Sequence, residues 1–167
     1  GLAVPCKELQ RAQAYFLLMF LLRGMPFIDL AHLRKRDVRD GRIVYRRHKT
    51  GKQITLRIPR EALPLLKEFK DKDAASLYLF PILNDAPEGE DALYRHYQKA
   101  LRNFNKMLEA LAKRLLPGIK VSSYTARHTW ATLAYHIGMP IGIICQALGH
   151  SSVRVTETYL KPFENER

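Results

Sequence analysis

The stretch from Ser122 to Leu160 reads SSYTARHTWATLAYHIGMPIGIICQALGHSSVRVTETYL and carries most of the chain's candidate functional residues. Arg127 and His128 stand near its start. A Leu-Gly-His sequence occupies 148–150, and Tyr159 follows that histidine by nine positions. Guanidinium, imidazole and phenol groups can each bind a phosphate or react with it. The elements that hold these residues therefore decide both the fold and the function.

The same stretch predicts three consecutive helices. Ser122 or Ser123 can cap the first, because a serine oxygen accepts a hydrogen bond from a backbone N–H that the first turn leaves unpaired. That helix is expected to end near Gly138. Pro140 favours the start of a second helix, and Gly149 can end it in a left-handed turn that redirects the chain at the next histidine. The tyrosine then falls on a short third helix.

Spacing along the first helix separates its polar residues. Tyr124 and Arg127 are three positions apart and share a face. His128 is one step further along and points about 100° away from the arginine. We therefore expect His128 to pack or to form a hydrogen bond rather than to serve the same ligand as Arg127.

A second region of interest begins where an apolar helix ends. Residues 7–22 have helical spacing, and the second half of the segment is apolar on all sides, which predicts deep burial. Arg23 and Gly24 follow at once. Arg23 can pair with the last carbonyls of the helix, or it can be held on a rigid support and aimed at an anion. A short helix is expected within 25–37, with Pro26 near its start.

Two strands and a tight turn are predicted next. The segments 42–48 and 53–58 are rich in β-branched residues, and Asp40-Gly41 before them is a turn signal. Residues 49–52, Lys-Thr-Gly-Lys, connect the two strands, with a glycine available for a positive φ. A lysine at such a turn is commonly a solvated surface residue, so the turn alone indicates little about function.

The rest of the chain is predicted to be mainly helical. Residues 61–70 have the apolar spacing of a short helix, and residues 84–90 read as a loop. A long helix is expected from Asp91 to about 116, where Pro117-Gly118 stops it. The expected fold class is α+β, mainly α-helical with a small antiparallel β-sheet or hairpin in the N-terminal third. Residues 1–167 are expected to form a single domain.

Composition restricts the partners. Of the 167 residues, 47% are hydrophobic, and the formal net charge is +12. This excess favours nucleic acid or an anionic membrane surface, although surface cations can also merely solubilise a helical protein. Cys6 and Cys145 form no C-x-x-C pair, which argues against a zinc site and suits a reducing cytoplasm. The apolar run 14–22 is too short to span a bilayer, and the first residues lack the basic region of a signal peptide.

The polar residues of 122–160 resemble the signature of the tyrosine recombinases, the phage-integrase family of DNA strand-exchange enzymes. That signature reads H-x-x-R-H, then L-G-H, then a nucleophilic tyrosine. Arg127, His150 and Tyr159 match it. Its first histidine is replaced by Tyr124, which can donate a hydrogen bond to a phosphate oxygen but does not titrate near neutral pH. Tyr124 is thus a candidate phosphate contact, and a core tyrosine is the alternative.

The resemblance also implies a second arginine upstream. The family pattern G-x-R-x-x-E-x-x-x-L-x-x-x-D, aligned on Leu33 and Asp37, puts Asp29 on the acid. Arg23 then lies three residues further upstream than the family arginine. We favour Arg23 because it is the arginine expected in a buried setting. The alternative is Arg34, which follows Leu33 on what should be the exposed face.

A catalytic lysine is implied at the hairpin. In the family this lysine sits at the turn between the second and third strands, often followed by threonine. Lys49 matches that position, and Lys52 is the alternative. The lysine would be the general acid for the leaving oxygen.

The implied activity is site-specific DNA recombination or integration through a 3′-phosphotyrosyl intermediate, without metal, cofactor or ATP. Tyr159 would attack the phosphate that Arg23 and Arg127 bind through paired hydrogen bonds. His150 would donate to the same phosphate or help to take the phenol proton. Two alternatives stay open, a type IB topoisomerase-like enzyme and a non-catalytic basic DNA-binding module.

The implied partners are double-stranded DNA and other recombinase protomers in a synaptic tetramer, and the free protein is expected to be a monomer. The R-G-M-x-F and Y-x-A-R-H sequences resemble integrases of bacterial conjugative or mobile elements, which would place the protein in the bacterial cytoplasm. The resemblance covers the catalytic domain only. The N-terminal core-binding domain that completes a clamp around DNA in the family is expected to be absent from 1–167.

Overall fold

A computed structural model of the chain describes residues 6–164, with side chains as far as Leu160. Its helices and strands are, in order, α1 (Lys7–Leu21), α2 (Phe27–His32), β1 (Val38–Arg39), β2 (Arg42–Arg46), β3 (Gln53–Arg57), α3 (Leu63–Phe69), α4 (Glu90–Leu115), α5 (Ser123–His136), α6 (Ile141–Leu148) and α7 (Val153–Glu164). Short 3-10 turns precede β1 and α3. The predicted fold class, mainly helical with a small antiparallel sheet, is confirmed.

The sheet has three antiparallel strands in the order β1-β2-β3. In β2 and β3, Val44 pairs with Thr55 and Arg46 with Gln53. The pairing continues one step beyond β2, where the N–H of Arg47 donates to the carbonyl of Lys52 at 2.8 Å. This extra pair positions the hairpin tip, residues 48–51.

Strand β1 was not predicted. It is only two residues long and pairs with the start of β2. The turn between them is Asp40-Gly41, in which both residues have positive φ, 51° and 72°. Two consecutive positive φ values give the type I′ turn whose twist matches that of a hairpin. The turn signal in the sequence therefore also implied a strand before it.

The core surrounds α1, which packs against α3, α4 and α5. The residues of this core that are no more than 1% exposed include Leu18, Met19, Leu22, Leu30 and Phe80. A second, smaller cluster joins α5, α6 and α7. Helix α5 links the two clusters, because Ala126 belongs to the first and Ala131 to the second. In the described part of the chain, no helix is long and apolar enough to cross a membrane.

The predicted ends of the C-terminal helices agree with the structure. Ser122, rather than Ser123, is the N-cap residue of α5. Pro140 is the N-cap residue of α6, and Gly149 ends that helix with φ +69°. The N–H of His150 then donates to the carbonyl of Cys145 at 3.1 Å, which closes the last turn. This closure fixes the direction in which the chain leaves α6.

Candidate active site

Arg127 joins the ends of two other helices from its place on α5. Its Nη1 donates to the carbonyl of Gly24 at 2.9 Å, and its Nη2 donates to the carbonyl of Leu148 at 2.7 Å. The residue is only 5% exposed. Both partners are neutral carbonyls, so the guanidinium is fixed in place without an ion-pair partner among the described residues. Burial, and then the neighbouring Arg47 charge, lower the pKa of Arg127 to about 10, which leaves it charged at neutral pH.

Gly24 is the residue that lets α1 approach α5 at this point. A Cβ on Gly24 would lie 3.1 Å from the Cα of Arg127, closer than side chains normally pack. Its φ of +68° also favours glycine. The glycine after the first helix is thus required by the position of Arg127.

Arg23 lies next to this contact but does not share it. It is exposed and has a left-handed backbone, φ +61°. Within the described residues its side chain forms no hydrogen bond or ion pair. The expected buried setting for Arg23 is therefore wrong, and its binding to a phosphate stays a prediction. The alternative, Arg34, pairs by its backbone with Tyr78 in an isolated β-bridge.

His150 follows the glycine that ends α6 and is 6% exposed. Its Nδ1 lies 2.7 Å from Oγ1 of the buried Thr156, at hydrogen-bonding distance. Burial lowers the pKa of His150 to about 4, and the charges of four basic residues add to the effect: Arg127, Arg47, Lys49 and Lys52. The imidazole is therefore neutral at pH 7. This leaves Nε2 as the ring nitrogen available to a ligand.

Tyr159, on α7, packs among three aromatic rings. Its ring centroid lies 5.0 Å from that of His128, 5.5 Å from that of His150 and 5.7 Å from that of Tyr124. The hydroxyl is buried and forms no hydrogen bond with the described residues. Burial, and then the nearby Tyr124, raise the pKa of the phenol, whereas the charges of Arg127 and Arg47 oppose the rise. The phenol is therefore protonated at neutral pH and lies where both guanidinium charges act on it.

Two residues of α5 lie beside Tyr159. His128 packs, as expected, and its ring meets the Tyr159 ring edge-on. Tyr124 is 54% exposed, so the alternative of a core tyrosine is wrong. Helix α7 packs against α5 here. The nucleophile candidate therefore rests on the face that Tyr124 and His128 share, four residues apart.

The turn of the hairpin, residues 49–52, brings two lysines towards His150. Nζ of Lys52 donates to the carbonyl of His150 at 3.4 Å. The charges of both Lys49 and Lys52 lower the pKa of the His150 ring. Both lysines are exposed, and the choice between them as general acid stays a prediction.

Arg47 was missed by the sequence analysis. It lies one residue beyond β2, is 8% exposed, and donates from Nη1 to the carbonyl of Gly149 at 3.1 Å. Its Nε is buried without a partner in the described residues. The available signal was the two-residue period of the strand, since Ile43, Tyr45 and Arg47 fall on one side, and Ile43 and Arg47 are buried.

Asp29 is the acid that the family pattern aligned, and it is 3% exposed. Its Oδ1 accepts a hydrogen bond from the N–H of His48 at 2.9 Å, which ties α2 to the hairpin. Its Oδ2 is buried without a partner among the described atoms. Burial raises the pKa of Asp29, and the charges of Arg47 and Arg127 act against that rise. The carboxyl therefore orients the hairpin tip next to the two arginines.

The chain belongs to the phage integrase family, whose model matches residues 3–166. The resemblance to a tyrosine recombinase catalytic domain is confirmed. Tyrosine recombinase XerA of Pyrococcus furiosus is 30% identical over 146 residues, which are 83% of this chain and 46% of that protein. XerA of Thermococcus onnurineus is 31% identical over 160 residues, 94% of this chain and 52% of that protein. The chain thus spans about half the length of these curated relatives.

Solved structures give the same fold. A crystal structure of XerA recombinase superposes with a TM-score of 0.64 at 24% identity, covering 95% of this chain and 60% of that one. XerH site-specific recombinase bound to its difH substrate gives a TM-score of 0.64 at 19% identity, covering 93% of this chain and 45% of that one. The catalytic domain of bacteriophage HP1 integrase gives a TM-score of 0.51 at 19% identity, covering 96% of this chain and 88% of that one. At these identities the likeness establishes the fold.

Proposed function

We propose that this chain is the catalytic part of a site-specific recombinase that cuts and rejoins DNA through a 3′-phosphotyrosyl intermediate on Tyr159. One observation carries the proposal. The phenol of Tyr159 lies against His150, in the field of a buried guanidinium, Arg127, that has no carboxylate partner in the described residues. A nucleophile beside a fixed cation that has no ion-pair partner suits attack on an anionic ester.

In the cleavage step the Tyr159 oxygen forms a bond to phosphorus, and the bond from phosphorus to the 5′ oxygen breaks. The phenol loses its proton, and the leaving oxygen gains one. The new phosphotyrosyl ester conserves the energy of the broken bond, so attack by a 5′ hydroxyl restores DNA without ATP. No group in this step needs a metal.

The roles follow from charge and position. Arg127 is suited to the non-bridging oxygens, because its planar fork donates parallel hydrogen bonds and stays charged. A lysine of the hairpin tip, Lys49 in our assignment, is suited to protonate the leaving oxygen. His150 is neutral, so it can accept the phenol proton or donate from Nε2 to the phosphate. Tyr124, exposed beside Tyr159, is suited to a hydrogen bond with a phosphate oxygen.

The direct test is covalent trapping on a nicked duplex, from which a short oligonucleotide diffuses away after cleavage so that rejoining is blocked. We expect the wild-type protein to form a DNA adduct that resists denaturation, with the DNA attached to Tyr159 by mass spectrometry. Tyr159→Phe should bind DNA with nearly unchanged affinity and form no adduct. Tyr94→Phe removes a hydroxyl from an exposed tyrosine of α4 and serves as the control. An adduct in Tyr159→Phe would contradict the assignment.

We extend the proposal to the complete protein, which we expect to act on duplex DNA within a synaptic tetramer and to belong to a bacterial mobile element, acting in the cytoplasm. The net charge of +12 supports a DNA partner. The integrase of transposon Tn1549, solved in complex with transposon right end DNA, has the same fold, with a TM-score of 0.62 at 15% identity over 90% of this chain and 54% of that one. Recombination between two sites, without relaxation of a plasmid that lacks them, would separate this function from that of a type IB topoisomerase.

A further inference from the structure

We propose that Arg47, from the hairpin, is the second phosphate-binding guanidinium of this site, paired with Arg127 on the non-bridging oxygens of the scissile phosphate. The inference rests on the proposed function and names a catalytic residue that the motif does not contain.

The two guanidiniums are held by consecutive carbonyls. Arg127 donates to the carbonyl of Leu148, and Arg47 donates to that of Gly149, at 2.7 and 3.1 Å. The carbonyl of Leu148 is the last of α6, where the negative end of the helix dipole stabilises cations, and that of Gly149 belongs to the residue that caps the helix. The next residue is His150. One helix end therefore places two guanidiniums and the imidazole together.

The charge balance of this pocket calls for an anion. Arg47 and Arg127 are both buried, and burial, then the charge of Arg47, lower the pKa of Arg127. The buried carboxyl of Asp29 acts on both arginines, but burial raises its pKa, and among the described side chains no carboxylate forms an ion pair with either. Buried charges are normally paired, because desolvation without a counter-charge is costly. A phosphodiester provides the missing negative charge.

Arg47 also has a buried N–H donor for which the described residues provide no acceptor. Its Nε is buried and has no partner in the described part of the chain, although Nη1 is hydrogen-bonded. Buried donors are nearly always satisfied in folded proteins, so an unpartnered one beside a reactive site points to a ligand. A guanidinium can use its Nε with a terminal nitrogen to bind two oxygens of one phosphate.

The arginine that the motif suggested has none of these properties. Arg23 is exposed and makes no side-chain hydrogen bond within the described residues. The position three residues before Asp29, where the family pattern has its arginine, is Pro26, whose side chain cannot donate. Arg47, on the hairpin, therefore supplies the phosphate-binding guanidinium that the α1–α2 connection does not supply.

The first experiment compares Arg47→Ala and Arg47→Lys with Arg46→Ala in single-turnover cleavage of the nicked duplex. Arg46 is the exposed neighbour, and among the described residues its side chain donates only to the carbonyl of Gly51, so its variant is matched in charge. We expect Arg47→Ala to cleave about 100- to 1000-fold more slowly, as for loss of one transition-state donor. Its DNA affinity should fall no more than that of Arg46→Ala. Arg47→Lys should recover part of the rate. Arg23→Gly, which relieves the left-handed backbone, decides between the two arginines and should lose far less rate than Arg47→Ala.

The second experiment separates phosphate binding from support of the fold. The scissile phosphate is replaced by a methylphosphonate, which has no negative charge. If Arg47 neutralises that charge, the rate of Arg47→Ala relative to wild type should be at least about tenfold higher on this substrate than on the phosphodiester. An equal loss on both substrates, or no adduct from Arg47→Ala on either, would overturn the proposal and leave Arg47 a structural residue.

The outcomes also distinguish failure of the proposed function from failure of the proposed role of Arg47. If the wild-type protein forms no adduct with the phosphodiester, the recombinase proposal itself fails. If wild type reacts and Arg47→Ala matches Arg46→Ala, only the role of Arg47 fails. If Arg23→Gly instead loses about 100-fold in rate, Arg23 is the second arginine and the motif alignment was correct.

Discussion

Two regions of the molecule hold the site, and they differ in how many buried apolar residues stabilise them. Helices α5–α7 provide Arg127, His150 and Tyr159, and they pack on a cluster with five buried apolar residues among the described side chains. The hairpin and the end of α1 belong to the larger core around α1. Fewer buried apolar contacts mean lower local stability. The nucleophile is thus carried by the less stabilised region, while the hairpin that faces it is fixed to the more stabilised one.

The two regions are tied by a reciprocal pair of contacts. Arg127, on α5, donates to the carbonyl of Gly24, a separation of 103 residues. Arg47, from the hairpin, donates to the carbonyl of Gly149, a separation of 102 residues. In each contact an arginine meets a glycine carbonyl across the boundary. The catalytic geometry therefore depends on contacts that also hold the regions together.

Arg127→Ala should break this arrangement most severely. It removes a transition-state donor, at a cost of about 100- to 1000-fold in cleavage rate. It also leaves the buried carbonyls of Gly24 and Leu148 without their donor, at about 1–3 kcal/mol each. Single-turnover cleavage and urea denaturation measure the two effects. Arg127→Lys keeps the charge and should recover part of the rate, and a full loss of rate with no loss of stability would show that the carbonyl contacts hold nothing.

Gly149→Ala tests the contact between Arg47 and the carbonyl of Gly149 by changing the glycine. The new Cβ would lie 2.8 Å from Cδ of Arg47 and 2.9 Å from Cδ1 of Ile54. We expect a stability loss of about 1–2 kcal/mol from the left-handed backbone and about 1–3 kcal/mol from the clash, together with slower cleavage. Gly51→Ala has the same φ, +70°, and open space around it, so it isolates the backbone effect. Equal stability in urea for the two variants would show that Arg47 moves aside without cost.

The pH dependence of stability should show the smallest effect of the three. The pKa of His150 is lowered to about 4, first by burial and then by Arg127, Arg47 and the hairpin lysines. Between the folded and unfolded pKa values only the unfolded chain takes up the proton, so this group makes stability fall as pH drops from about 6.5 to about 4. His150→Gln should therefore lose less stability than wild type between pH 7 and pH 5 in urea titrations. A steeper loss in the variant would mean that the folded-state pKa is raised instead.

The C-terminal region was readable from its sequence because its signals are local. A capping serine, a proline, and a glycine in the left-handed region fix the ends of α5 and α6 within a few residues. The spacing between Arg127, His150 and Tyr159 then has a direct structural meaning. The residue against which His128 packs, Tyr159, was not readable in this way, because the packing of α7 on α5 leaves no local mark in the sequence.

The arginine that the N-terminal half contributes to the site could not be predicted from local sequence signals in the same way. Arg23 attracted attention through its position after an apolar helix, yet two consecutive left-handed residues turn the chain there, and Arg23 is left exposed. Arg47 lay within a basic run, RRHK, where only the two-residue period of β2 distinguished the buried arginine from its neighbour. Its partner is 102 residues away, and no spacing rule reaches that far.

The carbonyls of Leu148 and Gly149 that receive the two guanidiniums belong to adjoining peptide units. Peptide units are planar and are linked at a single Cα, so the separation of their oxygens varies little once the left-handed turn at Gly149 is set. Main-chain covalent geometry therefore sets how far apart the two accepting oxygens lie. A shift of α6 would move both acceptors together and would disturb both arginine contacts at once.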